Sequence, residues 1–428
     1  MESIWKQNCE QISFPSLKEN IKTDVLIIGG GIAGVLTAYF LHQKGVSYVL
    51  VEKDRLFSGN TQNTTAKITI QHGLIYNKII KSHGTEKAKM YLNANLNAFN
   101  KYKELCRNID CDYEEKDNYV YSSDEEKLQK EIAALFAIDF KADFVKNLPL
   151  PIKTAGAVCF RQQAQFNPLK FLRAIAKDLN IYENTFVREM VDCTAKTENC
   201  TIQAEKVVVT THFPFINKHG LYPLKLYQHR SYVIALKNAQ IPDGMYVDEN
   251  KKGLSFRNYG KLLLLGGGSH KTGKNGGNWA ELRNFAAKNY PHSKEVAFWA
   301  AQDCMSLDNI PYIGNYSKNT PDMYVATGFN KWGMTNAMAA AEILCDLILG
   351  KQNENAEVFN PSRNIITPQL FVNGFESAVN LLTPTKKRCP HLGCALKWNS
   401  AEHSWDCPCH GSRFSEDGKV LDNPANKQ

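Results

Sequence analysis

The chain has 428 residues, of which 43% are hydrophobic and 22% are charged, values typical of a globular protein long enough for two or three domains. Its net charge of +8 is spread thinly, with the densest basic run at 386–388, so a nucleic-acid partner is not expected. The sequence has no apolar run of ~18 residues and no signal-peptide pattern at its start. We therefore expect no transmembrane segment and a cytoplasmic location.

A glycine motif lies near the start, in KTDVLIIGGGIAGVLTAYFLHQKGVSYVLVEKD at 22–54. Gly29, Gly31 and Gly34 form G-x-G-x-x-G between an apolar strand and a helical pattern, and a second strand ends in Glu52. The glycines allow close approach of a pyrophosphate, the helix N-terminus offers free N–H groups, and the acid can accept from ribose hydroxyls. The stretch predicts a dinucleotide-binding unit but does not separate FAD from NAD.

A second helix N-terminus is predicted at 323–350, where MYVATGFNKWGMTNAMAAAEILCDLILG reads as strand, glycine turn and helix. This order of elements resembles the D-amino-acid oxidase-like family of FAD-dependent oxidoreductases over roughly 22–350. The resemblance implies an α/β fold with a Rossmann-like FAD-binding domain and an interleaved antiparallel-sheet substrate domain. It also implies FAD as the cofactor. The alternative, an NAD-linked dehydrogenase, leaves the ATGF element unexplained.

The resemblance also implies, position by position, which residues bind FAD. They are the glycine motif and the acid, the residues after the second strand, a valine whose backbone meets the adenine, and the closing turn. In this chain these are Gly29, Gly31, Gly34, Glu52, Lys53, Thr64, Thr65, Lys67, Val187, Gly328, Gly333, Met334 and Thr335. Some family members attach FAD through a histidine after the second strand or through a late cysteine. Here the first position is Asn63 and Cys304 is out of register, so we expect non-covalent FAD.

Two short motifs near the other end, CPHLGC and CPCHGS, hold four cysteines and two histidines. Cys389-x-His391 and Cys407-x-x-His410 supply one cysteine and one histidine from each of two loops. A Rieske [2Fe–2S] centre needs this set, because two histidines replace two cysteines on one iron. The alternative is a zinc site, which uses the same ligand atoms at other spacings. The pattern predicts a Rieske cluster.

The tail resembles Rieske proteins of the high-potential type, in which an extra cysteine pair joins the two cluster loops. The resemblance implies a disulfide between Cys394 and Cys409. Phe414 stands where respiratory Rieske proteins place an aromatic hydroxyl, whereas Ser412 keeps its hydroxyl. Fewer donors to sulfur predict a potential below the top of the Rieske range. Because little chain surrounds the motifs, we expect a small, truncated all-β module.

We expect three parts in the chain: an FAD-dependent oxidoreductase domain over 1–362, a helical linker over 363–388 and the Rieske module over 389–428. The dinucleotide-binding core of the first part is expected to comprise 22–80, 150–215 and 305–350.

The linker is predicted to be amphipathic. The helical period puts five apolar residues on one face, namely Leu370, Phe371, Phe375, Val379 and Leu382. We expect this face to pack against the flavin domain, because so small a module needs cover.

Together the two halves resemble bacterial proteins that fuse such an FAD domain to a Rieske module. We expect a dehydrogenase for a small amine, N-methylated amine or amino acid. Its electrons would pass from FAD to the cluster, and out through exposed edges of His391 and His410 to a carrier protein or quinone. The alternatives are a reductase with the opposite electron flow, a redox sensor without catalysis, and a plain oxidase.

Several side chains are candidates for catalysis or substrate binding. Arg230 beside Tyr232 offers a fork for a carboxylate, although a strand arginine in a surface pair is the competing interpretation. His270 could line the cleft, and Lys331 and Trp332 lie in the turn expected to face the flavin. Lys271, next to His270, and the pair Gln302 and Asp303 are further candidates.

Overall fold

The computed structural model describes residues 2–7, 12–250 and 253–426. The helices in this part of the chain, with a 3-10 turn at Asn60–Asn63, are α1 (Ile4–Gln7), α2 (Ile32–Gln43), α3 (Tyr76–His83), α4 (Thr85–Cys106), α5 (Glu125–Phe136), α6 (Pro168–Ala176), α7 (Tyr222–Lys225), α8 (Asn278–Asn289), α9 (Gly333–Ile348), α10 (Ala356–Phe359) and α11 (Pro368–Leu382). No helix among the described residues is long and apolar enough to span a bilayer.

The strands form three sheets. In chain order they are β1 (Ile21–Ile28), β2 (Tyr48–Val51), β3 (Lys67–Ile68), β4 (Glu114–Ser122), β5 (Asp143–Val145), β6 (Gly156–Gln165), β7 (Ile181–Tyr182), β8 (Glu189–Val191), β9 (Thr194–Lys196), β10 (Thr201–Val209), β11 (Leu226–Lys237), β12 (Met245–Asp248), β13 (Ser255–Tyr259), β14 (Leu262–Lys271), β15 (Lys294–Ser306), β16 (Tyr312–Asn315), β17 (Met323–Thr327), β18 (Lys397–Asn399), β19 (Ser404–Asp406), β20 (Arg413–Phe414) and β21 (Val420–Asp422).

The first sheet is mostly parallel and carries the glycine motif. Its order is β16-β17-β10-β1-β2-β7, and only β16 in this row runs antiparallel to its neighbour. The apolar run at the end of β1 is fully buried, as expected for a parallel strand in the interior of a sheet that is covered on both faces. α2 begins directly after the glycines and ends before Gly45, which takes φ +67 as a C′ residue.

The second sheet belongs to the substrate side and runs β15-β11-β14-β13-β12-β4-β6-β3. β11 lies between β14 and β15, so that Arg230 is opposite His270 on one side and Gln302 on the other. These candidates, far apart in sequence, therefore meet on neighbouring strands. The sheet is antiparallel apart from the β4–β12 pair. The α/β fold class and the interleaved sheet are confirmed.

The third sheet, β18-β19-β20-β21, is a small antiparallel unit within the predicted Rieske module. Its core is formed mainly by the four cysteines and Phe414. Such a core is too small to stand on its own.

α11 forms the predicted helix, with Thr367 as its N-cap, but its orientation differs from our expectation. Phe371 is 68% exposed and Phe375 73%, whereas Asn373 and Asn380 are buried. The prediction that the apolar face packs on the flavin domain is wrong. The polar face packs on the flavin domain because its side chains form specific contacts there, such as the ion pair between Lys271 and Glu376.

Candidate functional site

A cavity of about 1000 Å³ lies between the two large sheets. Of the residues expected to bind FAD, eleven line it: Gly29, Gly31, Glu52, Lys53, Thr64, Thr65, Lys67, Val187, Gly328, Gly333 and Met334. The cavity is also walled by residues 419–426 of the C-terminal module. The segments chosen from the sequence thus converge on one space.

Gly34 does not line the cavity but sets the distance between α2 and β1. A Cβ at this position would lie 2.0 Å from Gly29 O and 2.8 Å from Thr210 Oγ1. Gly29 itself has φ +112, which favours glycine. The helix N-terminus can therefore approach the strand end closely, which leaves a cradle for a phosphate group.

Glu52 is held at the end of β2. Its Oε2 accepts from Gly30 N at 2.7 Å and its Oε1 from Asp54 N at 3.0 Å. Burial raises the pKa of this carboxyl, and the two backbone N–H groups oppose the rise. Each carboxylate oxygen has a second lone pair, so the group can still accept from ribose hydroxyls.

Lys67 is a half-buried lysine on the cavity wall, and its Nζ donates to Thr65 Oγ1 at 3.1 Å. Burial, and then the positive charge of Arg257, lower the pKa of Lys67 to about 7. An anionic group entering the cavity would favour the ammonium form.

The turn before α9 is held rigidly by Asn330. Its Nδ2 donates to Ser306 Oγ at 2.9 Å and its Oδ1 accepts from Ser306 N at 2.9 Å. Asn330 and Lys331 both take positive φ, at +52 and +70. This backbone places Lys331 and Trp332 on the cavity wall, where Lys331 Nζ lies 3.4 Å from Ser269 Oγ.

His72 was missed in the sequence, where nothing marked it apart from its place in the stretch after the second strand. Its ring stacks on Trp332 with centroids 5.3 Å apart, and it hydrogen-bonds Tyr91 OH at 2.6 Å and Thr335 Oγ1 at 2.8 Å. Burial lowers the pKa of His72 to about 3, so the ring is neutral. Thr335, expected to bind FAD, is instead turned away from the cavity toward His72 and Thr69 O.

Arg230, expected to bind a substrate carboxylate, is already paired with a carboxylate of the chain itself. Its guanidinium forms a bidentate pair with Glu402 of the C-terminal module. Tyr232 OH lies 2.9 Å from Glu402 Oε1 and 2.9 Å from His270 Nε2. Arg230 and Tyr232 line the cavity, but the carboxylate beside Arg230 belongs to Glu402, and the pair is buried. This internal ion pair replaces both the expected substrate carboxylate and the competing surface pair. The three candidates join the two parts of the chain, and His270 does not line the cavity.

The further candidates divide in the same way. Gln302 Nε2 donates to Gly411 O at 2.8 Å, beside the second cluster motif, and Lys271 pairs with Glu376 of α11. Asp303 lines the cavity, with Ser231 Oγ 3.4 Å from its Oδ2. Gln302 and Lys271 therefore serve the contact between domains.

The six residues of the two tail motifs come together in the C-terminal module. Cys394 and Cys409 form a disulfide, and Cys389 and Cys407 lie next to them as buried free thiols. The rings of His391 and His410 have centroids 5.0 Å apart. The disulfide leaves Cys389 and Cys407 as the free thiols beside the two histidines, which is the ligand set that the two motifs predict.

These residues fit a Rieske cluster. The Nδ1 atoms of His391 and His410 are buried without a hydrogen-bond partner among the described residues, which is the state expected of metal-ligating nitrogens. Burial lowers the pKa of His391 to about 4 and of His410 to about 3, so both rings are neutral and ready to bind metal. Ser412 hydrogen-bonds Cys389, whereas Phe414 has no donor.

The other edges of the two histidines face the flavin domain. His391 Nε2 lies 3.2 Å from Asn217 Oδ1, and His410 bonds the backbone of Pro223. Both rings meet Phe213 edge-on, at 6.4 and 6.2 Å. His410 is only 5% exposed, so the expectation that it presents a solvent edge for electron exit is wrong.

A short segment joins this contact to the glycine motif. Thr210, just after β10, donates from its N to Ile28 O at 2.9 Å and from Oγ1 to Gly29 O at 3.0 Å. The next two residues line the cavity, and Phe213 then reaches the cluster histidines. A few residues of continuous chain thus separate the FAD cavity from the cluster site.

The fold and these two centres define a flavoprotein oxidoreductase with an iron–sulfur cluster. Residues 24–347 match the family described as FAD dependent oxidoreductase (DAO), and residues 376–428 match the Rieske [2Fe-2S] domain. The chain belongs to the DAO family of FAD-dependent oxidoreductases and carries a C-terminal Rieske domain, so its cofactors are FAD and a Rieske cluster. The predicted enzyme class and cofactors are confirmed.

Two relatives match different shares of the chain. The chain is 35% identical to the Rieske 2Fe-2S iron-sulfur protein YhfW of Bacillus subtilis, in an alignment covering 100% of this chain and 96% of that protein. It is 57% identical over 37 residues to the cytochrome b6-f complex iron-sulfur subunit of Nostoc punctiforme, covering 9% of this chain and 21% of that subunit.

Among solved structures, glycine oxidase from Geobacillus kaustophilus superposes with a TM-score of 0.67 at 20% identity, covering 80% of this chain and 99% of that one. L-proline dehydrogenase from P. horikoshii gives 0.67 at 17% identity, covering 82% and 98%. At these identities the likeness concerns the fold.

Proposed function

We propose that this protein is a dehydrogenase that oxidises a small amine, N-methylated amine or amino acid in the FAD cavity. Electrons would pass from there to the Rieske cluster and on to a one-electron acceptor, either a carrier protein or a quinone. When bound, FAD takes two electrons as a hydride and the cluster hands them on singly. The residues of the predicted set that line the cavity would hold FAD, and Cys389, His391, Cys407 and His410 would hold the cluster.

The observation that carries this proposal is the orientation of the cluster histidines. Their outer edges contact Asn217, Phe213 and Pro223 of the flavin domain, and the chain from Thr210 to Phe213 connects that contact to the cavity wall. Electron exchange between FAD and cluster therefore has a short, buried route. A cluster serving only as a redox sensor would not need its ligand edges there.

Support for the substrate class comes from two proteins of similar fold, a glycine oxidase and an L-proline dehydrogenase. Since Glu402 occupies Arg230, we propose Lys331 as the cation that meets a substrate carboxylate. Its ammonium group lies on the cavity wall beside Ser269, and an ammonium is a suitable partner for a carboxylate. Burial raises the pKa of the Cys304 thiol to about 12, which keeps it protonated and supports non-covalent FAD.

Anaerobic titration of the holoprotein tests the proposal. Candidate amines and amino acids are added while flavin absorbance and the EPR signal of the reduced Rieske cluster are followed together. Flavin bleaching followed by cluster reduction is expected. The Cys407→Ser variant should keep FAD and flavin reduction but lose electron transfer to ferricyanide, and unchanged transfer would falsify the route.

The same titration separates the alternatives. If flavin is reduced only after a chemical reductant has reduced the cluster, the reductase is favoured. Rapid oxygen consumption while the cluster stays oxidised would favour the oxidase.

The proposed role of Lys331 has its own test. The Lys331→Met variant should raise KM for an amino acid while leaving KM for the matching amine without a carboxylate unchanged.

A further inference from the structure

We infer that the exposed apolar face of α11, together with the basic residues that follow it, binds the surface of an anionic lipid bilayer. The apolar face comprises Phe371, Val372, Phe375, Val379 and Leu382, all of them exposed. Exposed aromatic and aliphatic side chains in one helical stripe are unusual on a water-soluble surface and mark an interaction site.

The helix cannot turn this stripe inward, because its other face is fixed. Lys271 and Lys274 pair with Glu376, and Lys271 Nζ lies 3.3 Å from Asn373 Oδ1. Asn380 O accepts from Ala395 N at 3.0 Å. The polar side of α11 is thus held against the flavin domain and the first cluster loop, which leaves the apolar face pointing outward.

The apolar surface continues beyond the helix. α7 packs against α11, and Leu224 of α7 and its N-cap residue Leu221 are exposed. Leu392, which follows the cluster ligand His391, is also exposed. Arg388 ties these parts together by donating from Nη1 to Leu381 O at 3.1 Å and to Gly393 O at 2.8 Å. The patch is therefore a single surface next to the cluster loop.

The positive charge next to the apolar face indicates which kind of partner binds there. Between residues 364 and 401 the chain has one acidic residue, Glu376, which is paired, and four basic residues, Lys386, Lys387, Arg388 and Lys397. All four are exposed. An apolar helix face next to a basic cluster matches the interface of an anionic membrane, where the side chains enter the headgroup region and the cations meet lipid phosphates.

A second copy of the chain fits this surface less well. Two such faces brought together would place four cations against four, which is unfavourable. On a bilayer, by contrast, the cluster loop would sit at the lipid surface, within reach of a lipid-soluble quinone. The binding itself does not depend on the electron route proposed above.

Vesicle cosedimentation of the FAD- and iron-loaded protein tests the inference without turnover. Vesicles of phosphatidylcholine mixed with phosphatidylglycerol are compared with vesicles of phosphatidylcholine alone. We expect binding to the mixed vesicles that weakens with added salt. The Phe371→Ser/Phe375→Ser variant should lower the partition coefficient at least about tenfold, and Lys386→Gln/Lys387→Gln should lower it roughly tenfold on mixed vesicles only.

Phe136 provides the matched control, because it is also a highly exposed phenylalanine but lies at the end of α5. The Phe136→Ser variant should bind like the wild type. Two results would overturn the inference: absence of binding to any vesicle, or equal loss of binding in Phe136→Ser and the α11 variant. A concentration-dependent dimer in ultracentrifugation that the α11 variant abolishes, with no vesicle binding, would assign the face to a second copy instead.

Discussion

Arg230 and Glu402, 172 residues apart, form a buried ion pair between the flavin domain and the Rieske domain, with Arg230 Nε 3.0 Å from Glu402 Oε1. The two side chains are 4% and 0% exposed. Arg413 Nη2 adds a second contact, 2.8 Å from Glu402 Oε2. Burial alone raises the pKa of Glu402, but the two arginines lower it by more, so the pKa lies below its ordinary value.

Removing this carboxylate should loosen the Rieske domain. Glu402→Gln leaves Arg230 buried with only Asp422, at 4.0 Å, as a counter-ion, whereas Arg413 keeps Asp406 and Asp422. Removing one partner of a buried ion pair typically costs ~3–5 kcal/mol. Urea unfolding followed by cluster absorbance should show the loss. The control is Glu295→Gln, which breaks the more exposed Arg283 pair and should change stability by about 1 kcal/mol or less. Equal effects of the two variants would contradict the role of the buried pair.

The same pair predicts a dependence of stability on pH. Since the folded pKa of Glu402 is lower than the unfolded value, its stabilisation is fully present above the ordinary pKa of 4.5 and is lost as the pH falls below it. Glu402→Gln should flatten this part of the stability profile. If the stability of Glu402→Gln varied with pH as that of the wild type does, between about pH 6 and pH 3, the assignment of this pH dependence to Glu402 would be wrong.

FAD binding should take up a proton at Lys67. Its pKa in the empty cavity is about 7, and the anionic cofactor favours the ammonium form. FAD affinity should therefore fall as the pH rises above 7, by up to about tenfold per pH unit. Fluorescence titration of the apoprotein at several pH values measures this. Lys67→Met should bind more weakly at low pH and show a flatter profile, and an unchanged slope in that variant would place the proton elsewhere.

Gly34 should tolerate no side chain. The Cβ of Gly34→Ala would lie 2.0 Å from Gly29 O, so the helix must move from the strand, at a cost of about 1–3 kcal/mol or more. We expect weaker FAD binding together with a lower Tm. Gly59→Ala is the control, because Gly59 also lines the cavity but has nothing within 4 Å of a Cβ. If Gly59→Ala were the more damaging variant, the proposed close packing would be wrong.

The disulfide should stabilise the cluster loops. Cys394 and Cys409 are 15 residues apart, and closing a loop of this length contributes about 3 kcal/mol. Cys394→Ala/Cys409→Ala should therefore lose its cluster at lower urea concentration while flavin absorbance persists. Cys345→Ala, at a buried free cysteine of the flavin domain, is the matched control. Cluster loss at the wild-type urea midpoint would show that the bond contributes little.

The sequence was sufficient to predict both cofactors because each motif depends on local spacing. The glycines need fixed offsets around one turn, and the four cluster ligands come from two short loops, so the residues to be found lie close together in the chain. The fold class followed from the order of such elements. His72 carried no such signal, because its role comes from stacking on Trp332, 260 residues later.

Two other features could not be read from the sequence for a related reason. Periodicity shows which residues of α11 share a face but not which way the face points, and the partners of Asn373 and Glu376 decide that. Likewise, the guanidinium of Arg230 can pair with any carboxylate. Only the tertiary fold shows that its partner is Glu402 of the same chain and not a substrate.

The contact of His391 and His410 with Phe213 would give the proposed electron step between FAD and the cluster a particular kinetic order. A free carrier must find its donor by diffusion, so its rate rises with protein concentration. Both cofactor sites belong to one chain, so the proposed step would be first-order. Dilution of the enzyme would leave its rate unchanged.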